Sequence, residues 1–366
     1  MANLLDNRKK QNWSVKMSKI YENESGCLIS HEKFINDIYT NLLDVPGRSY
    51  HINPNIFKID TTYKTSGQSK SKRSKNVQPR NEFEDHRKEQ DVVKFKYDNF
   101  LSACRNYFNN SSEELQSLTN NLALEAADVI QNNSENSVSD MNGANDGPAV
   151  VKEINGDKYV FPEKCEFYCK NVFDMDKHLH SRKFDLILLD PPWWNKYIRR
   201  KRKKSSDGYS MMYNEDLKNL PIGNLLSDDG LVAVWCTNSK QNLDALLNEV
   251  FPKWNVQFTA KWFWLKVTTR GEPICPFFDP PGKQPYERLV FGHRSRTTLL
   301  PEDGKLLVSV PSALHSHKPP LVDVLKEYLP ENPRCLEVFA RYLLPNWTSY
   351  GNEVIKLQHD SVFVLR

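Results

Sequence analysis

Short apolar runs bounded by turn residues recur through the second half of the chain, and segments with helical spacing lie between them. Runs that are apolar at nearly every position, and rich in β-branched and aromatic residues, are typical of strands covered on both faces. The predicted strands are residues 184–190, 230–237, 257–266, 287–293, 305–310 and 334–340. Helices are predicted at Ser239–Phe251 and Pro319–Leu329, the second with prolines in its first turn, where a missing N–H costs little. This alternation predicts an α/β fold with a Rossmann-like, doubly wound sheet, whose ligands bind at the carboxyl ends of its strands.

The first half of the chain has a different texture, in which helical patterns lie between polar tracts. Apolar residues at helical spacing predict helices at 92–108 and 113–129. Residues 64–90 contain one Val and one Phe, cannot bury enough apolar surface to fold alone, and are predicted to be a flexible basic linker. A second polar tract covers residues 132–149. The chain is therefore divided there into a mixed N-terminal accessory domain, residues 1–149, and a main domain, residues 150–366.

Composition limits the classes of protein to which the chain can belong. Its 366 residues suffice for two units, and 39% hydrophobic with 26% charged residues is typical of a packed globular protein. A formal net charge of +4 neither demands nor excludes a polyanionic partner. The N-terminus lacks the apolar core of a signal peptide and no long apolar run occurs, so we expect an intracellular protein without a membrane span. Seven cysteines are then expected as reduced thiols; Cys165 and Cys169 lack a second pair at zinc-finger spacing, so no metal is expected.

The stretch ILLDPPWWNK ends a predicted strand in an unusual way. Taken alone, an acid such as Asp190 at a strand end can simply cap a turn. Here Pro191 and Pro192 stop the strand and leave loop carbonyls without ladder partners, so that an acid and a carbonyl are presented together. The aromatic rings that follow can stack on a base. We expect Trp193 to be the platform and Trp194 to pack, because adjacent side chains in a loop seldom share a face.

A carboxylate, a carbonyl and an aromatic platform suit one chemical task, which is to hold the exocyclic amine of adenine. Two acceptors on its two N–H groups would draw this weakly nucleophilic amine toward an attacking geometry. The matching electrophile is the methyl group of S-adenosylmethionine. A second Asp-Pro-Pro, which begins at Asp279, follows no predicted strand. We interpret it as a loop over the cleft, structural or in contact with substrate, rather than as a catalytic group.

These motifs resemble the N6-adenine methyltransferases of the MT-A type, and among them the branch of methyltransferase-like protein four. The resemblance covers about residues 150–360 and rests on DPPWWNK, PYERLVFG, LVSVPSALHSHKPPLVDVLKEYL and LEVFARYLLPNWTSYGNEV. It implies that residues 150–366 are a circularly permuted, β-type methyltransferase domain that depends on S-adenosylmethionine. In this arrangement the catalytic loop precedes the strand that opens the cofactor site, which accounts for the lack of a Gly-x-Gly-x-x-Gly motif.

The resemblance also implies roles for individual residues. The catalytic residues would be Asp190, Pro191, Pro192 and Trp193. The cofactor-binding residues would be Asn171, Val172, Asp190, Lys318, Glu337, Phe339, Arg341, Asn352 and Glu353. Lys318 would neutralise the methionine carboxylate, although a lysine before a helix can equally be a solvated residue. The chain departs from the mRNA-methylating members where Asn171 stands in place of an Asp and where Tyr342 and Leu343 replace a His-Asn pair, which leaves contacts to the carboxylate open around 341–344.

A third group of residues is predicted to bind the substrate. It consists of Trp194, Asn195, Lys196, Arg199, Arg200, Lys201, Arg202, Lys203, Lys204, Lys283, Tyr286 and Glu287. The basic run at 199–204 follows the catalytic motif closely and is expected to contact phosphates. A solvated loop or a nuclear import signal explains this run equally well. A similar run at 70–75 is interpreted as an import signal or a nonspecific anchor.

The nature of the substrate follows from where an adenine exposes its amine. A duplex hides this group, so the substrate must be single-stranded, looped or flipped out. The family resemblance implies U2 small nuclear RNA, at an adenosine that already carries a 2′-O-methyl group, or else DNA; the lack of an evident helix-turn-helix or zinc finger favours RNA. A catalytically silent RNA-binding scaffold is a third alternative, against which the intact Asp190 and Trp193 argue. We expect a monomer without an obligatory partner subunit or membrane association, in the nucleus and also in the cytoplasm.

Overall fold

The predicted strands form the centre of an 11-stranded sheet in a computed structural model of the chain. The structure describes residues 18–40, 42, 49–63, 80–109, 119–134, 138–194, 211–280, 282–294 and 299–366. Within these residues the strands are β1 (Lys19–Asn23), β2 (Gly26–Ile29), β3 (Tyr50–Ile52), β4 (Met141–Asn145), β5 (Val150–Ile154), β6 (Asp157–Phe161), β7 (Cys165–Cys169), β8 (Phe184–Leu189), β9 (Leu226–Cys236), β10 (Gln257–Lys266), β11 (Tyr286–His293), β12 (Leu306–Ser309), β13 (Cys335–Val338), β14 (Trp347–Tyr350) and β15 (Phe363–Leu365).

Helices cover both faces of this sheet. They are α1 (His31–Ile38), α2 (Arg80–Cys104), α3 (Asn121–Asn133), α4 (Met175–Leu179), α5 (Asn214–Lys218), α6 (Ile222–Leu225), α7 (Lys240–Ala245), α8 (Phe251–Lys253) and α9 (Val322–Leu325). A π-helical turn, Leu246–Val250, joins α7 to α8. Turns of 3-10 helix occupy Pro54–Phe57, Arg105–Tyr107, Val172–Asp174, Lys326–Tyr328, Lys356–Gln358 and Asp360–Val362.

The strand order is β1-β2-β12-β10-β11-β9-β8-β13-β14-β7-β4. Strands β7, β14, β13, β8 and β9 pair in parallel, and β10, β12 and β2 continue the same direction beyond β11. Strands β11, β1 and β4 run the other way. The carboxyl ends of the parallel strands and the amino end of β11 therefore meet at one edge of the sheet, the carboxyl edge, where ligands of open α/β sheets bind.

Side chains alternate between the two faces of the sheet because successive residues of a strand point to opposite sides. Leu188, Trp235 and Trp264 belong to the core of one face, the site face, which α1, α3 and α9 cover. Leu189 and Val234 belong to the core of the opposite face, the back face. By the same alternation the site face receives, at the carboxyl edge, Asp190, Lys266, Glu287, Ser309 and Glu337.

The N-terminal residues form part of the main sheet. β2 pairs in parallel with β12, and a Cβ on Gly26 would lie 2.2 Å from the carbonyl oxygen of Leu306, so this approach requires glycine. β3 pairs with β15 near the other end of the chain. The division of the chain at residue 149 remains a prediction, but backbone pairing crosses it at both places.

The predicted elements of the main domain are present. Each of the six predicted strands appears within four residues of its predicted ends. The helix predicted at 239–251 is present as α7, the π-helical turn and the start of α8. The helix predicted at 319–329 is reduced to α9 and a 3-10 turn, and its prolines lie in the non-helical segment before it. The helix predicted at 92–108 is the second part of α2 with the 3-10 turn after it, and the helix predicted at 113–129 is present as α3 from Asn121; residues 110–118 lie outside the described part of the chain.

The prediction of a linker at 64–90 was wrong for residues 80–90, which form the start of α2; residues 64–79 lie outside the described part of the chain. The helix is stabilised there by tertiary contacts that local composition does not reveal. The Glu89 carboxylate, 9% exposed, lies 2.5 Å from Nζ of Lys261 and 2.7 Å from a guanidinium nitrogen of Arg288. The next residue, Gln90, donates a hydrogen bond to the carbonyl of Phe278 (3.0 Å).

The polar tract at 132–149, taken as the division between the two domains, also contains regular structure. Residues 141–145 form β4, which pairs antiparallel with β7 at the edge of the main sheet. Gly143 permits this pairing, because a Cβ there would lie 2.9 Å from the ring of Phe167. Backbone pairing thus compensates for the low apolar content of the segment.

Candidate active site

Four charged side chains form a line at the carboxyl edge, on the site face. The Lys318 ammonium lies 3.3 Å from Oδ1 of Asp190 and 2.8 Å from Oε2 of Glu287. The other carboxylate oxygen of Glu287 is bound by Lys266. Negative and positive groups therefore alternate from Asp190 to Lys266, and each partly buried charge is stabilised by a neighbour of opposite sign.

Strand ends fix the positions of these groups. Asp190 directly follows β8, which pairs in parallel on both sides. Lys266 is the last residue of β10 and lies over the ring of Trp264, 4.4 Å from its centroid. Lys318 comes from the loop after β12, and its carbonyl accepts a hydrogen bond from the Tyr342 hydroxyl (3.3 Å). The network is thus held by main-chain structure rather than by flexible loops alone.

Burial and neighbouring charge set the protonation of this network. Burial raises the pKa of the Asp190 carboxyl above its ordinary value, and Lys318 and Arg341 counteract only part of this rise. Burial alone would lower the pKa of Lys318, but the carboxylates of Asp190 and Glu287 outweigh it, so this pKa is raised. Burial likewise opposes ionisation of Glu287, yet the two lysines hold its pKa below its usual range. Asp190 is therefore the better proton acceptor of the two paired acids.

Glu337 is a further carboxylate on the site face. The residue is 6% exposed, and its Oε2 has no hydrogen-bond partner among the described residues. Burial, together with the nearby charge of Asp190, raises the pKa of Glu337 to about 8. A buried polar group without a hydrogen-bond partner costs about 1 to 3 kcal/mol of stability, and such groups are rare in protein interiors. The arrangement therefore suits a ligand that brings hydroxyl or N–H donors.

The loop after Asp190 turns its first tryptophan inward. Trp193 is 8% exposed in the back-face core, and its indole N–H donates to the carbonyl of Trp235 (2.7 Å). Its backbone N–H donates to the carbonyl of Pro191 (2.8 Å), so one lone pair of that carbonyl is used inside the loop. The carbonyl of Pro192 accepts from the backbone N–H of Met212 (2.9 Å). The prediction that Trp193 offers a platform for a base was wrong, because both its ring and its N–H are engaged in the core.

Trp194 takes the opposite direction. Its ring stacks on that of Tyr213, with centroids 6.0 Å apart and ring planes 21° from parallel. Tyr213 is 59% exposed, so the stack lies at the surface. Trp194 therefore packs, on Tyr213, and the two adjacent tryptophans lie on different faces, but its ring is at the surface, so the pair with Tyr213 is accessible to solvent near Asp190.

The predicted cofactor residues fall into two groups along the edge. Asn171, after β7, and Asn352, after β14, line the same cavity of about 390 Å³. The side-chain oxygen of Asn171 accepts from the backbone N–H of Phe173 (3.2 Å), which leaves its amide donors for another partner. Val172 is buried in the back-face core and contributes packing. The second group consists of Asp190, Lys318 and Glu337.

The segment after β13 connects these groups. Phe339 adopts a left-handed backbone conformation with φ of 64°, uncommon for a residue other than glycine, and turns the chain away from the strand. Arg341 Nε lies 3.1 Å from the Glu353 carboxylate. At the positions where the chain departs from the mRNA-methylating members, Tyr342 holds the carbonyl of Lys318, and the backbone N–H of Leu343 donates to Gln358 (3.0 Å). Tyr342 thus supports the network itself.

The structure describes four of the predicted substrate residues, which are Trp194, Lys283, Tyr286 and Glu287. Residues 195–204, which include the basic run, lie outside the described residues. Lys283 is exposed, and Glu287 belongs to the charged line. The prediction for Tyr286 was wrong, because the residue is 1% exposed and its hydroxyl donates to Glu89 on the back face (3.3 Å).

Sequence reasoning missed several residues that support the site. Lys266 could have been found from its alternation with Trp264, which places a terminal lysine on the same face as Asp190. Three buried polar residues of the site face, Ser309, His31 and His317, had no sequence signal. The Ser309 hydroxyl accepts a hydrogen bond from the indole N–H of Trp264 (2.8 Å) and lies 3.1 Å from Nε2 of His31. The ring centroids of His31 and His317 are 5.4 Å apart.

These features define an α/β domain of the Rossmann-like class, with a polar ligand site at the carboxyl edge of its sheet. Residues 184–353, from β8 to the turn after β14, match the family model described as MT-A70. The chain belongs to the MT-A70 family. The motif DPPWWNK and the four residues of the charged line all lie within the matched residues.

Three relatives illustrate the range of this family. The human protein named "N(6)-adenine-specific methyltransferase METTL4" is 41% identical over 226 residues, 58% of this chain and 47% of that protein. The "DNA N6-methyl methyltransferase" of Caenorhabditis elegans is 37% identical over 223 residues, 60% of this chain and 59% of that protein. The "N6-methyladenosine RNA methyltransferase MTA1" of Cryphonectria parasitica is 39% identical over 228 residues, 60% of this chain and 67% of that protein. The chain thus matches about half the length of the human relative.

S-adenosylmethionine is the expected cofactor of MT-A70 methyltransferases, and the residues at the carboxyl edge fit it. The buried carboxyl group of Glu337, whose Oε2 lacks a partner among the described residues, would hydrogen bond the ribose hydroxyls. Asp190 and Lys318 offer opposite charges for the ammonium and carboxylate of the methionine end. The amides of Asn171 and Asn352 would hydrogen bond the adenine and ribose ends, respectively.

The remaining features of the described part of the chain bear on other ligand classes. Within it, no three His, Cys, Asp or Glu residues are arranged to hold a metal ion. The seven cysteines are buried and free. None of the helices there has the length and apolar character needed to cross a bilayer.

Proposed function

We propose that this protein is an S-adenosylmethionine-dependent N6-adenine methyltransferase that acts on RNA. The observation that carries the proposal is the Asp190 carboxylate, fixed at a strand end and buried beside Lys318, with its pKa raised by burial. A carboxyl whose pKa is shifted by burial beside a specific charged partner, at the ligand-binding edge of a sheet, is typical of a functional site. The intact motif and membership of the MT-A70 family support the same reading.

The residues of the chain would act on the adenine amine in three ways. The Asp190 carboxylate accepts one N–H, and the remaining lone pair of the Pro191 carbonyl accepts the other. Lys318 holds Asp190 in place and is itself oriented by Glu287 and Tyr342. The raised pKa of Asp190 suits Oδ of this residue to take the proton that leaves the amine. S-adenosylmethionine supplies the electrophilic methyl group when bound.

The choice of RNA rests on substrate accessibility and on the relatives. The amine must be unpaired, and RNA presents unpaired adenines in loops and single strands. The fungal relative is named as an RNA enzyme, while the nematode relative is named as a DNA enzyme, so DNA is the competing substrate. The RNA that the family resemblance implies is U2 small nuclear RNA, at an adenosine already methylated on its 2′-oxygen. The basic runs at 70–75 and 199–204 support nuclear import, and we expect the chain to act as a monomer.

A transfer assay with tritiated S-adenosylmethionine tests this proposal. The substrates are a U2-type RNA with 2′-O-methyladenosine at the target, the same RNA without that methyl group, a single-stranded DNA of the same sequence, and its duplex. We expect the 2′-O-methylated RNA to have the highest kcat/KM and the duplex the lowest. The Asp190→Asn variant is the negative control, and Asp279→Asn is a matched control with an intact site.

The outcomes separate the alternatives. Preference for single-stranded DNA over both RNAs would replace the proposal by a DNA methyltransferase. Tight RNA binding without transfer to any substrate would indicate a scaffold. Equal transfer to both RNAs would leave RNA methylation in place and remove the U2-type substrate.

A further inference from the structure

Trp194 and Tyr213 form a stacked aromatic pair at the surface, just beyond the loop that begins at Asp190. Tyr213 is 59% exposed and Trp194 is half-buried, so ring surface on this pair faces solvent. Large aromatic side chains gain most by burial, and exposed aromatic surface next to a ligand site is typical of a binding surface. Neither ring takes part in the charged line described above.

Backbone pairing fixes the direction of both rings. Trp193 and Met212 form a parallel bridge, in which Met212 N–H donates to the Pro192 carbonyl (2.9 Å) and Trp194 N–H to the Met212 carbonyl (3.0 Å). Trp193 and Met212 both enter the back-face core, at 8% and 7% exposure. The residues that follow them, Trp194 and Tyr213, are therefore turned outward together. A pair held in this way loses little conformational entropy when a ligand stacks on it.

The pair lies within reach of a strand bound at Asp190. Trp194 is four residues further along the chain, so the two Cα atoms are at most about 14 Å apart. Nucleotides of a stacked strand rise about 3.4 Å each. A strand whose target adenine is at Asp190 can therefore reach the pair within about four nucleotides.

We propose that the Trp194–Tyr213 pair stacks on a base that flanks the target adenine in a single-stranded nucleic acid. The inference rests on the proposed function, since it takes the target adenine to lie at Asp190. Every base has an aromatic face, so the stack contributes affinity and register with little sequence preference. The contact is not ionic, so its contribution does not depend on salt as phosphate contacts do.

The test couples protein variants to oligonucleotides that lack one base. Full-length wild type, Trp194→Ala and Tyr213→Ala are titrated, without S-adenosylmethionine, into labelled single-stranded RNA and DNA with one adenine, and binding is followed by anisotropy. A matched series carries an abasic site at each flanking position in turn. We expect each variant to bind the intact strand roughly tenfold more weakly, with an unchanged salt slope. On the oligonucleotide that lacks the stacked base, variant and wild type should bind equally.

Conservative variants and a distant control keep the test decisive. Trp194→Phe and Tyr213→Phe retain a flat ring and should retain most of the affinity, while Phe95→Ala, which removes a 69% exposed ring from α2, should change nothing. The inference is overturned if the alanine variants bind as wild type does, as expected of a surface for a protein partner. It is also overturned if they lose the same factor on every abasic strand. Binding is measured without methyl transfer, so the two proposals can fail separately. The alanine variants can bind as wild type does while methylation still occurs, and stacking can still be detected in an Asp190→Asn protein that does not methylate.

Discussion

The chain contains the tripeptide Asp-Pro-Pro twice, and the two copies have opposite physical settings. The Asp190 side chain is 17% exposed and lies 3.3 Å from Lys318, at the end of a strand paired on both sides. The Asp279 side chain is 85% exposed and lies 3.7 Å from Arg87, itself 61% exposed. The first copy is a largely buried, preorganised acid and the second a solvated turn. The preceding strand and the buried cation, rather than the tripeptide, create the candidate chemistry.

The residue that follows each Asp-Pro-Pro copy helps to give the two loops their different conformations. Trp193 follows the first copy and anchors the loop to the carbonyl of Trp235. Gly282 follows the second, donates its N–H to the carbonyl of Asp279 (2.8 Å), and a Cβ there would lie 2.5 Å from Cβ of Phe278. A tryptophan cannot occupy that turn without moving its backbone, so the second copy cannot reproduce the anchored loop of the first.

The largest difference between the two copies is expected when the carboxylate is removed from each in turn. Asp190→Asn should lower kcat by about 10³-fold, near the upper value for one preorganised polar group, because the amide neither balances Lys318 nor takes a proton. Asp279→Asn should leave kcat unchanged. Single-turnover transfer with saturating RNA measures both. Comparable losses in the two variants would contradict the comparison, provided that both retain the wild-type melting temperature.

Glu337 offers a sharper test of the acidic setting around the first copy. Its pKa is raised to about 8 in the folded protein, so between about pH 4.5 and pH 8 the folded state binds a proton that the unfolded state has lost. Stability should therefore fall as pH rises through this window, by about 3 kcal/mol between pH 5 and pH 8 from this group. Urea unfolding of wild type and Glu337→Gln at both pH values measures the difference, which the glutamine should abolish. Parallel pH profiles for the two proteins would show that the acid is solvated like an ordinary glutamate.

The cations that accompany the two acids should differ in their effect on stability. Lys318→Met leaves Asp190 and Glu287 buried without their shared partner, and should lower the free energy of unfolding by about 2 kcal/mol after allowance for solvent at the cleft. Arg87→Met removes the partner of Asp279 and should cost less than about 0.5 kcal/mol. Denaturant unfolding of both variants at neutral pH is the measurement. If Lys318→Met were as stable as wild type, the charged line would be solvated rather than buried.

How much of the site was predictable depends on how local its determinants are. Asp190 was predictable because its strand precedes it directly. Lys266 was predictable in principle, since it shares the alternation of Trp264 at the end of the same strand. The contact of His31 with Ser309 spans 278 positions and carries no local signal.

The same distinction explains the errors in the fold. The strands of the main domain were predicted from continuous apolar runs, which reflect burial on both faces. The start of α2 was not, because Glu89 gains its partners from Lys261 and Arg288, well over a hundred residues away. The opposite orientations of Trp193 and Trp194 depend on pairing with residues 211–213, which the sequence alone does not reveal.

The smallest expected effect concerns the second copy alone. Asp279→Ala removes an exposed carboxylate from a turn whose backbone hydrogen bond to Gly282 does not involve that side chain. Its only described ion pair, with Arg87, is long and solvated, and such pairs contribute about 0 to 1 kcal/mol. We therefore expect a change in the free energy of unfolding below about 0.5 kcal/mol and no change in kcat. A raised KM for RNA at unchanged stability would show that this turn contacts substrate, and the two copies would then differ in task rather than in whether they have one.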